Sequence, residues 1–95
     1  FMVNPGKTKV VFLWHMHQPD YRDIVTGEYY FPWTYLHAIK DYVDMAAHLE
    51  AQPNAKAVVN FAPILLEQLD DYAQQIKQCL ENNIDIKDDV LASLV

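Results

Sequence analysis

His15 and His17, one residue apart and followed by Gln18, are the residues of this chain best placed to do chemistry. They close a short apolar run, Val10-Val11-Phe12-Leu13-Trp14, rich in β-branched and aromatic types. Such a run reads as a strand buried on both faces of a parallel sheet. Parallel α/β folds bind ligands at the carboxyl ends of their strands, so Trp14-His15-Met16-His17-Gln18-Pro19 leaves the strand toward the expected site. Successive strand residues face opposite sides, which puts His15 and His17 on one side. Two neutral imidazoles and an amide make a hydrogen-bonding surface suited to sugar hydroxyls. Two other readings stay open on spacing alone. The histidines could be structural, pinning the loop that follows. They could also be half of a zinc site, since imidazole is a favoured zinc ligand, with a third ligand that position does not choose.

The elements that must position these residues follow in order. His15 to Pro32 is a long connection without a clear period, and loops of such length in a compact domain are often functional. Pro32 suits a first helical turn. After it Leu36, Ile39, Tyr42 or Val43, Ala46 and Leu49 recur at helical spacing, predicting one amphipathic helix over 33–51 with the stripe facing a core. Gln52-Pro53-Asn54 ends it. Lys56 to Phe61 is a second strand candidate. Pro63 opens another helix, with Leu65, Leu66, Leu69, Tyr72, Ala73, Ile76 and Leu80 as its apolar stripe, and Asn82-Asn83 stops it. Asp85 is placed to cap a last short helix over 87–95. Strands alternating with helices predict an α/β fold with parallel strands. Two parallel strands alone leave both edges unpaired, so residues 1–95 read most simply as a β-α-β-α segment of a larger barrel or sheet.

Composition bounds the partners. The 95 residues carry 7 basic and 13 acidic side chains, a formal net charge of −6. That balance repels phosphate backbones and argues against nucleic acid and anionic membrane. Two glycines leave no Gly-rich phosphate loop, and one cysteine, Cys79, leaves no disulfide framework within the chain. No apolar run approaches a membrane span, and no basic-then-apolar leader is visible, so the expected compartment is the cytoplasm. Phe1 ahead of Met2 points to Met2 as the natural first residue. Ser93-Leu94-Val95 stops inside an apolar pattern, which suggests a piece of something longer.

Several segments together resemble the start of glycoside hydrolase family 57. They are Trp14 to Pro19, then Phe31-Pro32-Trp33, then Leu36-His37-Ala38-Ile39-Lys40-Asp41-Tyr42, then Asp44-Met45, then Asn60-Phe61-Ala62-Pro63 with Leu65-Leu66-Glu67-Gln68-Leu69. The resemblance covers residues 8 to 73. His-Gln-Pro alone would be weak; joined to the downstream order it is strong. It implies an incomplete barrel of seven βα units, a (β/α)7 barrel, acting on α-glucans with retention of configuration, as an α-amylase-like or 4-α-glucanotransferase-like enzyme. It implies a glutamate nucleophile and an aspartate acid at later strand ends, beyond this chain. It also implies that His15, His17 and Gln18 line the substrate cleft.

Retaining hydrolysis needs two carboxyl groups about 5–5.5 Å apart. Asp41, Asp44, Glu67, Asp70 and Asp71 fall off the apolar stripes and read as solvated helix faces. Asp85, Asp88 and Asp89 read as an acidic tail. Only Asp20, Asp23 and Glu28 lie in the loop near the site, and none is assigned a catalytic role. No cofactor and no metal is assigned. Trp33 and Tyr29-Tyr30 could offer an aromatic platform to a sugar ring, or Trp33 could plug the top of the first helix. Tyr21 invites the same two readings. Asn60 could contact substrate or His17, or hold the loop before Pro63. His37 could orient a neighbour or lie at the surface, and Cys79 reads as a small hydrophobe.

The expected whole is an N-terminal portion of an α-glucan-active hydrolase or glucanotransferase, inactive alone. Its substrate-contacting residues would be His15, His17, Gln18, Trp33 and Asn60. Its strand edges would be covered by the rest of the barrel or by self-association. The alternatives are a non-catalytic self-associating module and a metal-dependent hydrolase or deacetylase using His15 and His17.

Overall fold

A computed structural model describes residues 6–94; Phe1, Met2 and Val95 lie outside the described residues. Strand β1 (Leu13–Met16) is followed by α1 (Trp33–His37), a π-helical segment over Ala38–Tyr42, and α2 (Val43–Ala51). Strand β2 (Val58–Phe61), α3 (Pro63–Asn82) and α4 (Asp89–Leu94) complete the order. The two strands pair in parallel, with Leu13 opposite Val58, Trp14 opposite Val59, His15 opposite Asn60 and Met16 opposite Phe61. The helical connection is what a parallel pair requires.

β1 is shorter than the apolar run and ends further along it. Pairing begins where Phe12 O accepts the Val58 N–H at 2.9 Å, so Val10 and Val11 precede the ladder. Within β1 the sides alternate. Met16 is buried and Trp14 partly so, whereas Leu13 and His15 are exposed. The expected burial on both faces is not found: Val10, Val11, Phe12 and Leu13 are 62–74% exposed, because the described residues supply only two strands. The open face therefore carries Leu13 and Val58 low on the strands and His15 and Asn60 at their carboxyl ends.

α3 forms where the sequence predicts. Pro63 takes the first turn, where no N–H is needed, and Asn83 ends the helix in the left-handed region at φ 56°. Its Leu65 and Tyr72 are buried as expected, and so is Gln68. The helix over 33–51 also forms, but not as one stripe. The π segment closes its turn one residue late, which rotates everything after it by about 100° relative to a continuous α-helix. Leu36, Ile39 and Val43 stay exposed, α2 buries nothing, and it is Thr34 that is fully buried, on α1 against α3.

The loop between β1 and α1 is ordered by its own turn chemistry. Asp23 Oδ1 accepts the Val25 and Thr26 N–H groups, and Gly27 turns the chain back at φ 74°. Arg22 and Tyr29 then bridge in antiparallel fashion, with the Tyr30 N–H on Tyr21 O at 2.8 Å. Tyr29 packs face to face on Tyr72, rings 4.2 Å apart, beside Leu91. The radius of gyration is 18.2 Å, against about 12 Å for a compact chain of this length, and the extents are 61 × 29 × 19 Å. No helix of the described residues is long and apolar enough to cross a membrane.

Three acidic residues depart from the sequence reading. The last helix is capped by Asp88 rather than Asp85, and Asp88 is 3% exposed instead of lying in a solvated tail. Its Oδ1 accepts the Leu91 N–H and its Oδ2 the Tyr29 N–H, both at 2.7 Å. Asp71 is not a solvated helix charge either: its Oδ2 accepts the Tyr29 hydroxyl at 2.8 Å. Burial, with Asp71 beside it, pushes the Tyr29 phenol far above its ordinary range, and burial does the same to Tyr72. Replacing Asp88 by Ala removes the α4 cap and strands a buried amide. It is expected to cost about 1–3 kcal/mol in urea unfolding; an unchanged midpoint would contradict this role.

Candidate functional site

The site is assembled at the carboxyl end of β1. The strand places His15 on the open face, and the parallel register sets Asn60 opposite it. His15 Nδ1 lies 2.7 Å from Asn60 Oδ1. With a carbonyl oxygen as partner, Nδ1 carries the proton and Nε2 of the neutral ring keeps its lone pair. His17 emerges on the same side, its ring centroid 5.9 Å from that of His15 and only 13° from parallel. The two histidines are therefore brought together as expected. Asn60 meets His15 rather than His17.

Gln18 is held from two directions. Its Oε1 accepts the Tyr21 hydroxyl at 2.9 Å and its Nε2 donates to Tyr42 Oη at 3.2 Å. Tyr21 in turn meets Phe31 edge to face at 6.3 Å, and Phe31 stacks on Trp33 at 6.4 Å with 10° between the planes. Trp33 does not plug the helix top: it is 47% exposed and Phe31 53%. The pair presents an aromatic surface joined to Gln18 through Tyr21.

Beneath this surface Gln68 fastens the turn. Its Nε2 donates to Pro19 O at 2.8 Å and Ile64 O at 3.2 Å, while its Oε1 accepts the Thr34 hydroxyl at 3.1 Å. Both Gln68 and Thr34 are 0% exposed. One buried amide thus ties the His-Gln-Pro turn to α1 and α3. Arg22 forms a two-pronged pair with Asp20, at 2.8 and 3.1 Å, and also reaches Glu67 at 3.2 Å. That bond holds the Asp20 carboxyl below its usual range. Asp23, bonded by the Tyr30 hydroxyl and by the turn amides, is also lowered. Both loop aspartates are thus occupied as structural anions.

His37 pairs with Asp41 one turn on, and its ring lies 6.2 Å from that of Tyr42. Among the described residues no three His, Cys, Asp or Glu side chains come together as a metal site, so His15 and His17 find no third ligand there. A separate cleft of about 600 Å³ lies between the loop tip at Thr26–Glu28, α3 from Asp71 to Gln78, and residues 84–88. None of His15, His17, Gln18, Trp33 or Asn60 lines it. Sequence reasoning missed Tyr42, Phe31, Thr34 and Gln68 as site components. Phe31, Tyr42 and Gln68 fall within the segments that carry the resemblance, and the polar residue at position 68 also interrupts the apolar stripe of α3.

The His15–Asn60 bond makes a spectroscopic prediction. In mildly alkaline buffer, long-range proton–nitrogen spectra should show His15 protonated at Nδ1. Asn60→Ala should release it to the mixed tautomers of a free imidazole and leave His17 unchanged. A His15 signature indifferent to residue 60 would contradict the bond.

No curated protein and no solved structure matches the chain. The family model for Glycosyl hydrolase family 57 matches residues 11–94, a span that holds both strands, all the helices and every residue of the site. The chain belongs to glycoside hydrolase family 57.

Proposed function

We propose that this chain forms one wall of the substrate cleft of a retaining α-glucan hydrolase or 4-α-glucanotransferase with a (β/α)7 barrel. In this reading further βα units cover the open face and edges of the sheet. The nucleophile and general acid lie on polypeptide outside these residues. The observation that carries it is the face-sharing pair His15 and His17 at a parallel strand end, with His15 oriented by Asn60. Nε2 of His15 accepts from a sugar hydroxyl, the Gln18 amide donates and accepts, and the Phe31–Trp33 surface packs against the C–H face of a sugar ring. The exposed apolar run ahead of β1 supports the covering by further units. The structural roles of Asp20, Asp23, Asp71 and Asp88 support a catalyst located elsewhere, since each already serves a bond that holds the fold. The cytoplasm is the compartment that this reading implies, in keeping with the free thiol of Cys79.

The same uncovered sheet favours a second reading, a non-catalytic module whose edges are covered by another copy of the chain. One sample tests both. Purified chain incubated with maltoheptaose should release no shorter sugars. It should bind the sugar weakly, with His15→Ala lowering the affinity roughly tenfold, as expected for loss of an oriented polar contact. Carboxylate-dependent turnover, or binding indifferent to His15, would overturn the cleft reading. Sedimentation as a monomer would remove the self-associating one.

A further inference from the structure

The π-helical segment has no explanation in packing. α2, which follows it, buries no residue, and Leu36, Ile39 and Val43 around it are exposed. Side chains meet on an α-helix when they are three or four residues apart; five apart, they diverge by about 140°. His37 and Tyr42 are five apart, yet their rings lie 6.2 Å from each other at 28°. Only the longer turn over Ala38–Tyr42 allows this. Such turns are rare and occur often at functional sites. What this one achieves is visible at its end, where half-buried Tyr42 reaches the Gln18 amide.

A side-chain amide offers two N–H donors and two lone pairs. Tyr42 takes one N–H of Gln18 and Tyr21 takes one lone pair. One N–H and one lone pair are left over after these two bonds. Hydroxyl groups, which both accept and donate, complement that pair. His37, paired with Asp41 within the same turn, lies against the Tyr42 ring.

We infer that Tyr42, aimed by the π turn, is a positioning residue that fixes the Gln18 amide so that its remaining N–H and lone pair meet sugar hydroxyls. The inference rests on the cleft reading above and adds to it the group recognised and the device that sets it. Removing the phenolic oxygen frees one edge of the amide without changing the helix.

The test compares wild type, Tyr42→Phe and His15→Ala, each titrated with maltoheptaose by nuclear magnetic resonance. Tyr42→Phe should keep the wild-type circular dichroism and bind roughly fivefold more weakly, the loss of one ordinary hydrogen bond. Its Gln18 side-chain NH₂ signals should lose the displacement that added maltoheptaose produces in wild type, a change that a purely structural role would not produce. If His15→Ala weakens binding while Tyr42→Phe binds as wild type does, the inference falls and the cleft stands. If wild type does not bind, or His15→Ala changes nothing, the cleft reading fails and takes this inference with it.

Discussion

The site depends on the register of one parallel strand pair. Because Leu13 lies opposite Val58, His15 must lie opposite Asn60, and both must face the open side. A slip of one residue would turn His15 toward the side where Met16 is buried and break the contact between ring and amide. The register thus decides three things together: which face the imidazoles share, which nitrogen of His15 holds the proton, and where the polar patch ends and the apolar strand begins. The chemistry assigned to the site needs nothing more from β1 and β2 than this alignment.

A second constraint keeps the turn after β1 from wandering. The backbone from His17 to Pro32 has no sheet of its own beyond the Arg22–Tyr29 bridge, so side chains supply hydrogen bonds beside the few made within its turn. Gln68 holds Pro19, Asp88 holds Tyr29, and Asp23 closes the tip. These are mostly short polar contacts to buried or half-buried partners, where an unmet group is costly. The loop is therefore tied to α3 and to the start of α4, and Gln18 inherits a fixed place from bonds made far along the chain.

The features legible in the sequence were those set by local rules. Strand alternation put His15 and His17 on one side, Pro63 opened α3, and Asn82-Asn83 closed it. The motif order from Trp14 to Leu69 was enough to indicate the family. What escaped was set by partners distant in sequence. Asp88 looks like any acid in a polar tail until Tyr29, 59 residues earlier, brings its amide to it. Asp71 sits off the apolar stripe and is claimed by the Tyr29 hydroxyl. The π segment was hidden because a period of 3.6 fits Tyr42 and Val43 equally well, and only the longer turn separates them. The exposure of Val10 to Leu13 was unreadable for a simpler reason: composition says that a run prefers burial, not whether a covering layer is at hand.

A crystal structure of the chain with maltoheptaose bound tests the central claim most directly. The account predicts a sugar on the open face at the strand ends, with hydroxyls on His15 Nε2, His17 and the Gln18 amide and a ring against Trp33. A sugar seated in the cleft between α3 and residues 84–88, or His15 and His17 on opposite faces of β1, would contradict it.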